Sequence, residues 1–191
     1  AIIEPARLSE RKQLGEIVHR ALRWHLPADE DELRDLLRRY AWEEGIVEAN
    51  EETVNEAFAL LRRVRDSDVF QWMADARQTF HEQPFVYQHG ERTIHGMIDV
   101  LLEDKNGRWK LIDYKTAWLG EWVNQTKLEV HARRYHLQMG VYAAAVEELV
   151  GSAPQVYIHY IRYARTTAIA TDDWKSALAQ FDDMLEGIDD G

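Results

Sequence analysis

One stretch constrains the fold of this chain more than any other, His95 to Lys115, HGMIDVLLEDKNGRWKLIDYK. An apolar run, Met97 to Leu102, leads into a turn segment around Asn106-Gly107, and a second apolar run follows from Trp109 to Tyr114. That is the pattern of a β-hairpin with buried strands. Each run carries one acid where a buried strand should be apolar, Asp99 in the first and Asp113 in the second. An unpartnered buried carboxylate costs on the order of several kcal/mol, so two of them require a compensating charge or a function.

The turn decides how the aspartates relate. A two-residue turn at Asn106-Gly107 places Asp99 opposite Tyr114 and sends the two aspartates to different faces. A three-residue loop, Lys105-Asn106-Gly107 with Gly107 in the left-handed conformation, places Asp99 opposite Asp113. Side chains alternate along a strand, so Asp113 and Lys115 share a face. The second register therefore gathers two carboxylates and an ammonium on one patch. Carboxylates that close repel unless a cation lies between them, and hard oxygen ligands suit Mg2+ or Mn2+. Protonated Lys115 is not a ligand, but it can orient a water or stabilise charge that develops on a phosphate.

Asp99 followed by Asp113-Tyr114-Lys115 resembles the PD-(D/E)xK nuclease superfamily. The fuller string, Gly96-x-Ile98-Asp99 with Ile112-Asp113-Tyr114-Lys115-Thr116, is similar to its RecB/AddA-type branch. Gly15-x-x-Val18-His19 and Glu82-x-Pro84-Phe85 precede the hairpin and Gln138-x-x-x-Tyr142 follows it, in the order that branch uses, so the resemblance covers residues 14–163. It implies an α/β fold with a restriction-endonuclease-like core, a mixed central sheet flanked by helices, and a helical N-terminal region. On that reading 1–191 is a single nuclease domain, with a helical part at 1–80 and a catalytic core at 81–191. Domains of this branch typically end a longer helicase–nuclease polypeptide, and the opening AIIEPARLSE, without Met, suits an excised piece.

The resemblance also implies roles. Asp99, Asp113, Lys115, Gln138 and Tyr142 form the catalytic set. One or two Mg2+ or Mn2+ ions are held by Asp99, Asp113 and the backbone carbonyl of Tyr114, with His19 and Glu82 completing the shell. The implied partners are DNA, as single strands or ends, and a helicase motor in the same chain or in partner helicase–nuclease subunits. The implied activity is metal-dependent hydrolysis of phosphodiester bonds, as an exonuclease or single-strand endonuclease, in double-strand-break repair and recombination. Several relatives staple this fold with a four-cysteine iron–sulfur cluster; this chain has no cysteine and cannot.

Composition sets bounds on these expectations. Hydrophobic content of 46% with seven Trp supplies a core for one domain. The absence of cysteine excludes disulfides and thiolate sites and is compatible with the reducing cytoplasm, the expected location. No apolar run approaches the ~18 residues of a membrane span, and no signal-peptide pattern opens the sequence. The net charge of -11 argues against a broad phosphate-binding surface. It leaves room for a nuclease whose substrate is threaded in by other domains. Arg133, Arg134, Arg162, Arg165 and the Arg34 to Arg39 segment are either local basic patches or, more commonly for such charges, a solvated face.

Along the chain, residues 8–26 read as a helix with a stripe of Leu14, Ile17, Val18, Ala21 and Leu22, His19 at its edge and His25 at the surface. Further helices are expected at 29–40, 51–64 and 67–79, then a strand from Phe85 to Gln88. The segment from Thr116 to Thr126, with Trp118 and Trp122, is either a substrate guide or a partly buried excursion. Lys127 to Val150 reads as one helix stopped by Gly151, with Gln138 and Tyr142 on one face at i and i+4. A strand from Gln155 to Tyr163 and a final helix over 171–187 complete the pattern.

Two other classes compete with the nuclease reading. One is a catalytically silent domain of the same fold, kept as a DNA-binding scaffold. The other is a small-molecule α/β domain, which the lack of a Gly-rich phosphate loop and of a Ser or Cys nucleophile motif weakens.

Overall fold

The computed structural model describes residues 5–23, 26–43 and 51–189, with side chains described between Lys12 and Phe181. The surface position expected for His25 lies outside the described residues. Four helices come first: α1 (Pro5–Leu22), α2 (Glu30–Glu43), α3 (Glu51–Arg65) and α4 (Asp68–Asp75). Asp29 caps α2, its Oδ1 accepting the backbone N–H groups of Asp31 and Glu32 at 3.0 and 2.9 Å.

Three strands follow, β1 (Gln78–His89), β2 (Arg92–Glu103) and β3 (Trp109–Lys115). A loop then leads into α5 (Gln125–Ala132), a 3-10 turn at Arg133–Tyr135, and α6 (His136–Val150). The chain returns through β4 (Gln155–Tyr160), a second 3-10 turn at Ile161–Tyr163, β5 (Arg165–Ile169) and α7 (Thr171–Asp189). The five strands form one sheet in sequence order, with β3 and β4 parallel and every other neighbouring pair antiparallel. This is the mixed α/β sheet expected from the sequence.

The turn between β2 and β3 is the three-residue loop. Val100 pairs with Ile112 and Glu103 with Trp109. Gly107 sits at φ 78°, and its N–H donates to the carbonyl of Asp104 at 3.0 Å. Asp104 fastens the loop: its carboxylate accepts the N–H groups of Asn106 and Arg108 at 2.8 and 3.0 Å. The backbone bond from Arg108 and the neighbouring donors hold that carboxyl at about 2, well below the ordinary value, against what desolvation remains.

Helices cover both faces of the sheet. Val100, Leu102, Ile112 and Tyr114 pack with α1 to α4 in one core. Ile98, Leu101, Leu111, Ile158 and Tyr160 pack with α5, α6 and Trp174 in the other. Regular alternation would send Ile98 and Val100 to the same core. They go to different ones, so β2 turns over at Asp99. Directly across, β1 does the same at Glu82, a non-glycine residue held at φ 42°. Such local distortions of a ladder re-aim side chains and occur next to active sites.

The sequence pattern misplaced several boundaries. The helix expected over 67–79 ends at Asp75, and β1 begins at Gln78, seven residues before Phe85. The strand expected to run to Tyr163 ends at Tyr160, and Ala164, in the left-handed region at φ 46°, turns the chain into β5, which was not anticipated. The expected helix Lys127 to Val150 is interrupted by the 3-10 turn, whose last residue, Tyr135, has φ -105° and ψ 0°. Apolar periodicity survives such a break because α5 and α6 both pack on the same core.

Candidate active site

Asp99, Asp113 and Glu82 meet at one level of the sheet. Pairing on either side of Glu82 (His81 with Val100, Gln83 with Ile98) sets Glu82 across from Asp99. The pairing of Val100 with Ile112, continued by one residue, sets Asp99 across from Asp113. Asp99 Oδ2 accepts the backbone N–H of Tyr114 at 2.7 Å, which ties the two strands just beyond the last ladder pair. Its other oxygen, Oδ1, lies 3.4 Å from Nδ1 of His19, delivered by α1. α1 can approach this closely because Gly15 has no side chain: a Cβ there would lie 3.3 Å from Thr116 Oγ1, the residue after Lys115.

Asp113 is buried, only 4% exposed. Burial, and then the charge of Asp99, push its carboxyl up to about 6. Lys115 Nζ stands 2.7 Å from Asp113 Oδ2. The contact is a short ion pair whose alignment is poor for a hydrogen bond. Lys115 also lies over the ring of Tyr135, 4.4 Å from its centroid. Burial works against the ammonium, but the charge and bond of Asp113 outweigh it and raise Lys115 above its ordinary value. His19 behaves alike: burial lowers it, while the Asp99 bond and the charges of Asp99 and Asp113 raise it overall. Glu82 Oε2 is met by Arg23 Nε at 3.2 Å, a cation from the residue following α1.

Tyr114 turns its side chain to the opposite face, among the first core, where burial pushes the phenol up and its hydroxyl lies 3.9 Å from Met73 Sδ. Only its backbone belongs to the site. Gln138 and Tyr142 bond to each other, Gln138 Nε2 donating to the Tyr142 hydroxyl at 3.1 Å. The Tyr142 ring meets Phe85 edge-on, with centroids 5.0 Å apart. Among the described residues no hydrogen bond or ion pair links either side chain to Asp99, Asp113 or Lys115. The Gln138–Tyr142 pair sits instead above Gly96, three residues before Asp99 on β2.

The expected residues thus divide into two groups. His19, Glu82, Asp99, Asp113, Lys115 and the Tyr114 backbone converge. Gln138 and Tyr142 lie beside them. Tyr135 was not among the expected site residues; its one sequence signal is its place three residues before Gln138, and the structure sets it under Lys115. Sequence reasoning did not find Arg23, which carries no motif. Among the described residues no three acidic or imidazole groups converge closely enough to hold an ion as placed.

Comparisons with known proteins agree with this architecture. Over 185 residues the chain is 25% identical to an ATP-dependent helicase/nuclease subunit of Staphylococcus saprophyticus, covering 84% of this chain and 15% of that protein. The protein of the same name from Lysinibacillus sphaericus is 34% identical over 91 residues, 44% of this chain and 7% of that one. The chain therefore spans a small fraction of the length of these relatives. A solved structure from Eubacterium rectale, named as a candidate exonuclease, superposes with a TM-score of 0.53 at 10% identity, over 94% of this chain and 82% of that one, which shows a shared fold. The sequence signature of the PD-(D/E)XK nuclease superfamily matches residues 2–191, and this chain belongs to that superfamily.

Proposed function

We propose that this domain is a divalent-metal-dependent deoxyribonuclease. It would work in the cytoplasm beside a helicase motor, in the same longer polypeptide or in a partner protein, during double-strand-break repair and recombination. The helicase half of the reading rests on the names of the relatives. The nuclease half rests chiefly on one observation, a buried Asp113 carboxylate facing Asp99 across adjacent strands with the Lys115 ammonium 2.7 Å away.

Two carboxylates set across from each other on adjacent strands fit a hard divalent cation such as Mg2+ or Mn2+, which takes one or two carboxylates and keeps water as its other ligands. Asp99, Asp113 and the Tyr114 carbonyl would hold it, with His19 and Glu82 at the margin. When bound, the ion supplies an acidified water and neutralises charge on the scissile phosphate. The chain's own groups do the rest. Lys115, held charged by Asp113 and steadied on the Tyr135 ring, stabilises the extra negative charge of the transition state. Asp99 fixes the Tyr114 backbone through its N–H and so orients the carbonyl. His19, bonded to Asp99, sets the angle of that carboxylate. The Gln138–Tyr142 pair would position the strand beside the reacting phosphate.

The test is cleavage of linear single-stranded DNA with Mg2+ or Mn2+, against EDTA, with Asp113→Asn alongside. The amide keeps the size of Asp113 and an oxygen for Lys115, so the fold is expected to persist. Activity is expected to fall by about a thousandfold or more. Asp113→Asn cleaving as fast as the wild type overturns the reading.

A further inference from the structure

Between β3 and α5 lies a loop, residues 116–124, that begins at the residue after Lys115 and displays two indole rings. Trp122 is 89% exposed and Trp118 is 49% exposed. Trp is among the most costly side chains to leave in water, and this loop holds both rings on a fastened backbone. The Tyr163 hydroxyl accepts the Leu119 N–H at 2.6 Å and donates to the Gly120 carbonyl at 3.0 Å. Arg162 Nε donates to the Thr116 carbonyl at 2.8 Å, and Asn124 caps α5 by accepting the Lys127 N–H. Trp118 stacks on the Tyr163 ring with centroids 6.5 Å apart.

Cations beside this loop lack an ion-pair partner, as exposed Arg39 and Arg92 also do elsewhere among the described residues. Arg38, Arg77, Lys105, Arg108 and Lys175 are each paired with a carboxylate. Lys127, Arg133 and Arg134, on α5 and the turn after it, are exposed and have no ion-pair partner among the described residues. Tyr135, the residue after Arg134, has the Lys115 ammonium 4.4 Å from its ring centroid, which places this segment beside the catalytic lysine. Against a net charge of -11, three unpaired cations thus stand on the segment that follows the loop.

We propose that this loop and α5 form a path for one nucleic-acid strand, its bases stacked on Trp122 and Trp118 and its phosphates against Lys127, Arg133 and Arg134. The inference deepens the nuclease reading and rests on it. Exposed aromatics interleaved with unpaired cations suit a single strand, whose bases are free to stack, and not a duplex.

The test is fluorescence anisotropy of a labelled oligothymidylate of about 12 nucleotides with the 191-residue chain in EDTA, where nothing is cleaved. A second probe is an abasic strand of the same length. Trp122→Ala is expected to weaken oligothymidylate binding about tenfold and to leave the abasic probe unchanged, while Trp122→Phe stays within about twofold. Replacing Arg133 and Arg134 with Gln is expected to weaken both probes alike and to flatten the salt dependence. Equal binding of oligothymidylate by wild type and Trp122→Ala overturns the path, as does no binding by the wild type. Hydrolysis of bis(p-nitrophenyl) phosphate, too small to reach the loop, reads the metal site separately. If that hydrolysis depends on Asp113 while Trp122→Ala binds normally, the path alone fails. If Trp122 governs binding but no Asp113-dependent hydrolysis occurs, the nuclease reading alone fails.

Discussion

The Phe85 ring occupies the space that a side chain on Gly96 would take. A Cβ on Gly96 would lie 2.4 Å from Phe85 Cε1 and Cζ and 3.2 Å from Tyr142 Cε1. Phe85 and Gly96 are direct cross-strand partners, so three separate motif segments meet in one contact. Gly96→Ala should destabilise the fold by about 1–3 kcal/mol, the usual cost of overpacking. Phe85→Leu in the same chain should recover part of that loss, which urea denaturation of the two single variants and the double variant would read. Strict additivity would mean that the ring is not what excludes the methyl group.

On the proposed mechanism Tyr135 acts through Lys115, whose ammonium lies 4.4 Å from the tyrosine's ring centroid. Its ring steadies the ammonium without reaching the Asp99–Asp113 pair, so it is a positioning residue. Tyr135→Leu should lower kcat on single-stranded DNA about tenfold with KM nearly unchanged, and Tyr135→Phe, which keeps the ring face, should stay within about twofold. An equal loss in both variants would assign the effect to the hydroxyl and not to the ring.

Glu82 carries strain in the site. A non-glycine residue at φ 42° costs on the order of 1 kcal/mol that glycine avoids. Glu82→Gly and Glu82→Ala lose the half-buried Arg23 pair alike. The glycine variant should nonetheless be the more stable of the two by about 1 kcal/mol, and both should show weaker Mn2+ binding than the wild type. Identical melting temperatures for the two would remove the strain argument.

His159, fully buried on β4, gives the fold a specific weakness to acid. Nδ1 lies 2.9 Å from Thr166 Oγ1, Nε2 has no partner among the described residues, and burial lowers the imidazole from 6.5 to about 4. Above pH 6.5 the ring is neutral whether the chain is folded or not, so it adds no pH dependence. Between 6.5 and about 4 only the unfolded chain takes up the proton, and stability falls as pH falls. The full loss is ~3 kcal/mol at about 1.4 kcal/mol per pKa unit, levelling off once the folded ring is protonated. Urea midpoints in EDTA across this range should slope less for His159→Asn than for wild type. Parallel slopes would locate the acid sensitivity elsewhere.

How far the site was legible followed the range of the interactions. The hairpin was legible to its register once the turn was known, because Gly107 alone can take the left-handed corner and its neighbours close the loop locally. That local geometry carries Asp99, Asp113 and Lys115. The continuous helix from Lys127 to Val150 was misjudged because a 3-10 turn shifts the phase of side chains without disturbing the apolar spacing on either side of it. β5 was missed because five residues, Arg-Thr-Thr-Ala-Ile, resemble a loop until Val156 and Tyr157 are there to pair with them.

Residue type and spacing, with the resemblance they carry, were enough to single out the two aspartates, the lysine and the motif glycines, with the pairing of the aspartates left to the turn. They could not specify that β1 and β2 both turn over at the level of Glu82 and Asp99, that α1 brings His19 to Asp99 and Arg23 beside Glu82, or that Tyr135 lies under Lys115. Those contacts join residues up to 80 positions apart, as His19 and Asp99 are (99 − 19 = 80). Only the docking of helices on both faces of the sheet fixes them, because burial of apolar surface selects the approach and the polar groups follow it.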